Sequence, residues 1–127
     1  MTDTELLEIA KNASEKAYTP YSGFNVGAAL ECVGGKVFTG CNVENSAYGD
    51  TICAERTAMV KAVSEGYKDF ARIAIWADSK GYCYPCGSCR QFMIEFNDGS
   101  MDVICGRGDG EFISHKLIEM LPQVFGF

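Results

Sequence analysis

Two cysteine-bearing stretches constrain this fold more than anything else in the chain. They are Cys53-Ala54-Glu55-Arg56 and, 33 residues after Cys53, Pro85-Cys86-Gly87-Ser88-Cys89-Arg90. Cys86 and Cys89 are one helical turn apart, so on a helix both thiols share a face and suit one metal. Cys53 heads a second helical pattern. A helix N-terminus presents free N–H groups and the positive end of a dipole, which favours thiolate over thiol. A fold that turns these two helix starts toward each other gathers three thiolates on one zinc ion. It leaves a fourth position open beside Glu55.

The same spacing leaves two other readings open. A structural zinc site takes four protein ligands, and Cys83 is the available fourth. That arrangement belongs to a binding module and gives Glu55 no role. A dithiol oxidoreductase on Cys86 and Cys89 is the other reading, and it leaves Cys53 and Glu55 unexplained. Cys83 lies in a loop before Pro85, off the helix face that carries the pair. We read it, with Cys32, Cys41 and Cys105, as a buried free cysteine. An odd total of seven cysteines points away from disulfides and toward metal or catalytic chemistry in a cytoplasmic protein. The single histidine, His115, rules out a multi-histidine site.

The chain length of 127 residues suits one domain, 1–127, with a core that needs no disulfide staples. A net charge of −6 disfavours binding to a phosphate backbone, so no nucleic-acid partner is expected. It leaves a neutral nucleoside acceptable. No apolar run reaches membrane-spanning length. The acidic start, Met1 to Glu5, lacks the basic segment of a signal peptide, so a cytoplasmic location is expected.

Along the chain, Thr2 and Glu5 have capping-box spacing. Leu6, Ile9, Ala10, Ala13 and Ala17 then predict a helix over about 3–18, ended by Pro20. Two extended runs, 26–32 and 36–41, flank Gly34-Gly35 as a hairpin. Residues 42–52 read as a polar functional loop, in which Asn42 and Glu44 face one side and suit a hydroxyl group. A helix over 53–65 buries Ala54, Ala58, Met59, Ala62 and Val63 and stops at Gly66. A buried strand follows over 71–77, a helix over 86–96, a strand over 101–105 and a short extended piece over 111–113. A last helix covers about 114–120. This alternation predicts an α/β protein, with a mixed β-sheet of about five strands and helices on both faces.

These motifs together resemble the zinc-dependent cytidine deaminases of the small, homotetrameric type. The resemblance extends through Tyr18-x-Pro20-Tyr21-Ser22-x-Phe24-x-Val26-Gly27-Ala28-Ala29, through Gly40-Cys41-Asn42-Val43-Glu44-Asn45, and to Leu121-Pro122. It implies a three-layer α/β/α fold and hydrolytic deamination of cytidine and 2′-deoxycytidine at carbon 4 of the base, a step in pyrimidine salvage. It implies zinc on Cys53, Cys86 and Cys89, with Glu55 as proton shuttle and Arg56 moderating the thiolate charge. It further implies that Asn42 and Glu44 hold the ribose 3′-hydroxyl and that the Ala54 amide and Phe24 hold the base. Tyr48 and Phe125 would reach in from neighbouring subunits, which makes a homotetramer part of the site. Blasticidin S deaminases share the metal chemistry, but the run Asn42-Val43-Glu44-Asn45 favours a nucleoside. The chain departs from the family's pattern at Asp50, where an apolar residue is expected, and carries variants at Ser46 and Tyr84.

Overall fold

The computed structural model describes residues 1–126. Helix α1 (Asp3–Ser14) is followed by the hairpin β1 (Val26–Cys32) and β2 (Val37–Cys41). Then come α2 (Ala54–Ser64), β3 (Phe70–Ala77), α3 (Gly87–Ile94), β4 (Asp102–Gly106), β5 (Phe112–Lys116) and the short α4 (Leu117–Met120). The five strands form one sheet in the order β2-β1-β3-β4-β5. Only β3 and β4 pair in parallel, through a crossover that contains α3, and the remaining pairs are antiparallel.

Side chains alternate across the sheet and build two apolar layers. Ala29, Ala74, Trp76 and Ile104 meet Leu6, Leu7 and Ala10 of α1 on one face. Ala28, Leu30, Ile73, Ile75, Val103 and Cys105 point the other way, onto Ala58 and Met59 of α2, Met93 of α3 and Leu117 of α4. The expected three-layer arrangement is therefore present, with α1 alone on its side.

Gly27 under α1 and Gly40 under α2 let the helices lie directly on the sheet. A Cβ at Gly27 would stand 1.8 Å from the Ala10 carbonyl oxygen. This close approach turns Leu7 and Ser14 inward together with Leu6 and Ala10, in place of the predicted stripe through Ala13 and Ala17. The capping box at the start of α1 is present: Glu5 N donates to Thr2 Oγ1 at 3.1 Å, and Thr2 N donates to Glu5 Oε1 at 3.4 Å. Arg72 of β3 ties this helix start to the sheet through Asp3 at 2.6 Å and Glu31 at 3.0 Å.

The predicted helix over 3–18 ends early, at Ser14. Tyr18 N donates to the Asn42 carbonyl at 3.0 Å, and Glu44 N donates to the Tyr18 carbonyl at 2.9 Å. Backbone pairing with a distant loop replaces the last helical turn. The same competition acts at the far end of the chain. Ser114, His115 and Lys116, predicted as helix, instead continue β5 opposite Ile104, Val103 and Asp102. The predicted helix over 86–96 ends at Ile94, and Phe96 packs its ring on Phe70 at 5.0 Å. Cys32 and Cys105 are buried as expected, whereas Cys41 and Cys83 are only half-buried.

Candidate active site

Both cysteine stretches occupy helix N-termini on the same side of the sheet. Cys53 is the N-cap of α2 and Cys86 the N-cap of α3, each with extended backbone (ψ 153° and 168°). Neither thiol caps its own helix through a hydrogen bond, so both sulfurs are left to point at each other. Cys89 is the third residue of α3, the position that faces an N-cap side chain across the first turn. Pro85 stands just ahead of the N-cap, where its missing N–H costs no helical bond.

The three sulfurs lie within 4.8 Å of one another. Cys53 and Cys86 are 3.8 Å apart, and Cys86 and Cys89 are 3.5 Å apart. Two thiolates at zinc–sulfur distance on a tetrahedral ion are about 3.8 Å apart, so the cluster has the size zinc requires. Among the described residues it is the only group of three or more His, Cys, Asp or Glu side chains gathered in this way. Cys83 stays outside it, and its thiol is pushed up to about 12, first by burial and then by the nearby Glu55 carboxylate. A four-cysteine closed site therefore does not form. The dithiol reading fails as well, because Cys53 joins the pair.

Hydrogen bonding sets the charge within the cluster. Cys53 is pulled down to about 5, first by its hydrogen bond with Cys89 and then, against burial, by the Arg56 guanidinium and Cys86. Cys89 is pushed up by the same partnership and by burial, so the negative charge of the pair rests on Cys53. Arg56 Nη2 lies 3.5 Å from Cys53 Sγ and 3.4 Å from the Thr51 carbonyl. Arg56 Nε is buried and finds no partner among the described residues.

Glu55 follows two residues after Cys53 in the first turn of α2 and is 5% exposed. Burial pushes its carboxyl up to about 7, outweighing the hydrogen bond from its own backbone N–H, and the Cys53 charge adds to the rise against smaller effects of Cys89 and Arg56. A carboxyl held near neutrality beside the metal cluster can both take up and release a proton.

The substrate-binding candidates divide. Glu44 and Tyr48 line a 320 Å³ cleft with Tyr21, Ser22 and Thr51. Arg56 connects this cleft to the metal cluster, since it touches both Thr51 and Cys53. The Glu44 carboxylate accepts hydrogen bonds from Tyr21 N at 3.0 Å, from Ser22 N at 3.1 Å and from Ser22 Oγ. Asn42 is buried, and its amide is engaged at both ends: Oδ1 accepts from Val26 N at 2.9 Å, and Nδ2 donates to the Phe24 carbonyl at 2.8 Å. In this chain Asn42 thus braces the start of β1 and the backbone at Phe24. Phe24 itself is half-exposed and borders a separate cavity with Trp76 and Asp78. The Ala54 backbone is buried at the head of α2. Tyr48 is 74% and Phe125 68% exposed, and the Phe125 carbonyl accepts a hydrogen bond from Gln91 Nε2 at 3.1 Å.

Sequence reasoning missed Ser22 and Thr51 as cleft residues, and it missed Gly40 and Arg90 as supports. Ser22, Gly40 and Arg90 stand within the quoted motifs without a role assigned to them, and Thr51 has only its adjacency to Cys53 as a signal.

Residues 1–106 match the zinc-binding region of the cytidine and deoxycytidylate deaminases. A cytidine deaminase of Sporosarcina psychrophila is 47% identical over 121 residues, covering 95% of this chain and 89% of that protein. The crystal structure of cytidine deaminase from Burkholderia pseudomallei superposes with a TM-score of 0.95 at 47% identity, over 98% of this chain and 100% of that one. The enzyme from Mycobacterium tuberculosis superposes at 0.87 with 34% identity, over 100% and 99%. Sequence, backbone and the three-thiol cluster agree: the chain belongs to the cytidine and deoxycytidylate deaminase family, whose zinc-binding region it carries on Cys53, Cys86 and Cys89.

Proposed function

We propose that the chain hydrolyses cytidine and 2′-deoxycytidine to uridine and 2′-deoxyuridine with release of ammonia, in pyrimidine salvage. The observation that carries this reading is the buried Glu55 carboxyl, held near neutrality beside three thiols of zinc-binding size. Cys53, Cys86 and Cys89 hold the metal, which when bound supplies a Lewis acid that activates water for attack on carbon 4 of the base.

Glu55 does the proton transfer. Its carboxylate takes a proton from the attacking water, delivers it to ring nitrogen 3 and then helps the exocyclic nitrogen leave as ammonia. Burial supports both halves of this cycle, because a carboxyl near neutrality accepts and donates at comparable cost. Arg56 offsets the negative charge of three thiolates on one divalent ion. The Glu44 carboxylate, already ionised and aimed at the cleft, accepts a hydrogen bond from a ribose hydroxyl, and Asn42 holds the backbone that frames it. The Ala54 amide and the Phe24 ring position the base.

We place Tyr48 and Phe125 at the active sites of neighbouring subunits of a homotetramer. Their high exposure supports this reading. So does a groove lined by Arg56, Ser88, Gln91, Phe92, Glu95 and Phe96. One domain spanning 1–127 and a cytoplasmic location complete the proposal. Among the described residues, no helix is long and apolar enough to cross a membrane.

The test is direct. Zinc-loaded protein incubated with cytidine should form uridine, and Glu55→Ala with equal zinc content should not. Equal rates from the two proteins would remove the assignment.

A further inference from the structure

Arg90 directly follows the ligand Cys89 in α3. Its Nε donates to the Pro85 carbonyl at 2.9 Å, and its Nη1 donates to the Met120 carbonyl at 2.9 Å. Pro85 is buried and immediately precedes the ligand Cys86. Met120 closes α4 and opens the segment 121–126, which Gln91 then holds at Phe125. One half-buried guanidinium therefore joins three things: the loop with one ligand, the helix with another, and the root of the segment bearing Phe125.

The chemistry of the join is specific. The Met120 carbonyl ends a four-residue helix and belongs to the carbonyls that such an end leaves unpaired. Charged donors make stronger hydrogen bonds than neutral ones, and the rigid guanidinium fork serves two carbonyls at once. A lysine ammonium lacks that fork. Cys86 is the most exposed of the three ligands, so it depends most on how its loop is held. The two arginines divide the work, since Arg56 acts on a thiol and Arg90 on the backbone.

We propose that Arg90 is a positioning residue that couples retention of the metal to placement of the C-terminal segment. The proposal rests on the zinc-deaminase reading. Without the fork, the Pro85–Cys86 turn and the 121–126 segment loosen together, because one side chain holds the Pro85 carbonyl of one and the Met120 carbonyl at the root of the other.

The experiment uses zinc-loaded wild type, Arg90→Ala, Arg90→Lys and Gln91→Ala. The rate of zinc transfer to a chromogenic chelator is read beside carboxypeptidase digestion of the C-terminus and the unfolding midpoint. Arg90→Ala should transfer zinc about tenfold faster or more and lose its C-terminal protection. Arg90→Lys, which keeps the charge, should also transfer zinc faster than wild type. Gln91→Ala should expose the C-terminus yet transfer zinc at the wild-type rate. Wild-type transfer in folded Arg90→Lys or Arg90→Ala would overturn the proposal. Faster transfer with an unchanged C-terminus would overturn it as well, because a local effect on the loop would then suffice. Wild type that holds no zinc would instead sink the zinc-deaminase reading itself.

Discussion

Gly40 of β2 lies so close to the first turn of α2 that a Cβ there would stand 2.4 Å from the Ala54 carbonyl oxygen and 2.5 Å from Ala58 N. The helix that carries Cys53, Glu55 and Arg56 is thus seated on bare backbone. Gly40→Ala should push this helix off the sheet and cost about 1–3 kcal/mol of stability by overpacking. Urea unfolding of the zinc-loaded protein measures it, and an unchanged midpoint would contradict the contact.

Metal content separates the cysteines. Cys86→Ser should abolish stoichiometric zinc binding, because a neutral hydroxyl replaces one of three thiolates. Cys83→Ser should keep one zinc per chain, since its thiol lies outside the cluster. Metal analysis after dialysis against a weak chelator distinguishes the two. Lowering the pH should release zinc from wild type, because the ligands bind only when deprotonated.

Glu44 makes the order of the Tyr21–Ser22 loop sensitive to acid. Its pKa is lowered, first by the Ser22 hydroxyl, which outweighs desolvation, with the Ser22 and Tyr21 amides adding to it. A carboxylate with a lowered folded pKa contributes above its ordinary range, and the contribution is lost as pH falls through the lowered value. Hydrogen exchange should show the Tyr21 and Ser22 amides protected near neutrality and unprotected in strong acid. In Glu44→Ala they should be unprotected throughout.

The proposal that neighbouring subunits share active sites predicts complementation. Glu55→Ala and Phe125→Ala should each be impaired alone, and mixing them after reversible dissociation should restore activity. Hybrid assemblies then contain some sites with both native residues. Light scattering should report a mass of about 55 kDa, four copies of the 13.8 kDa chain. A monomeric mass, or no recovery on mixing, would remove the shared site.

Much of this was legible in the residue order because local periodicity governs it. The α2 stripe of Ala54, Ala58, Met59 and Ala62 is buried as the spacing requires, while Val63 at its edge is half-buried. Gly66 ends that helix at a φ of 93°, which glycine tolerates, and the hairpin turns at Gly34-Gly35 with φ of 101° and 100°. The cysteine spacing paired Cys86 with Cys89, since thiols one turn apart share a helix face, and Cys53 was legible from its place at the head of a second helix, whereas excluding Cys83 took the fold. The residues around Tyr18 and His115 were misread for one reason: their backbone bonds go to chain segments far away in sequence. No periodic signal announces such a partner.

The sequence by itself determined the chemistry available: three thiols, one acid, and the turn and helix signals that bring them near each other. Tertiary structure alone decided their state. Burial raises Glu55 toward neutrality, Cys83 falls outside the cluster, and Arg90 joins the nearby Pro85 carbonyl to that of Met120, 30 residues away at the end of α4. These depend on distances and solvent exclusion across the fold, which the order of residues along the chain does not specify.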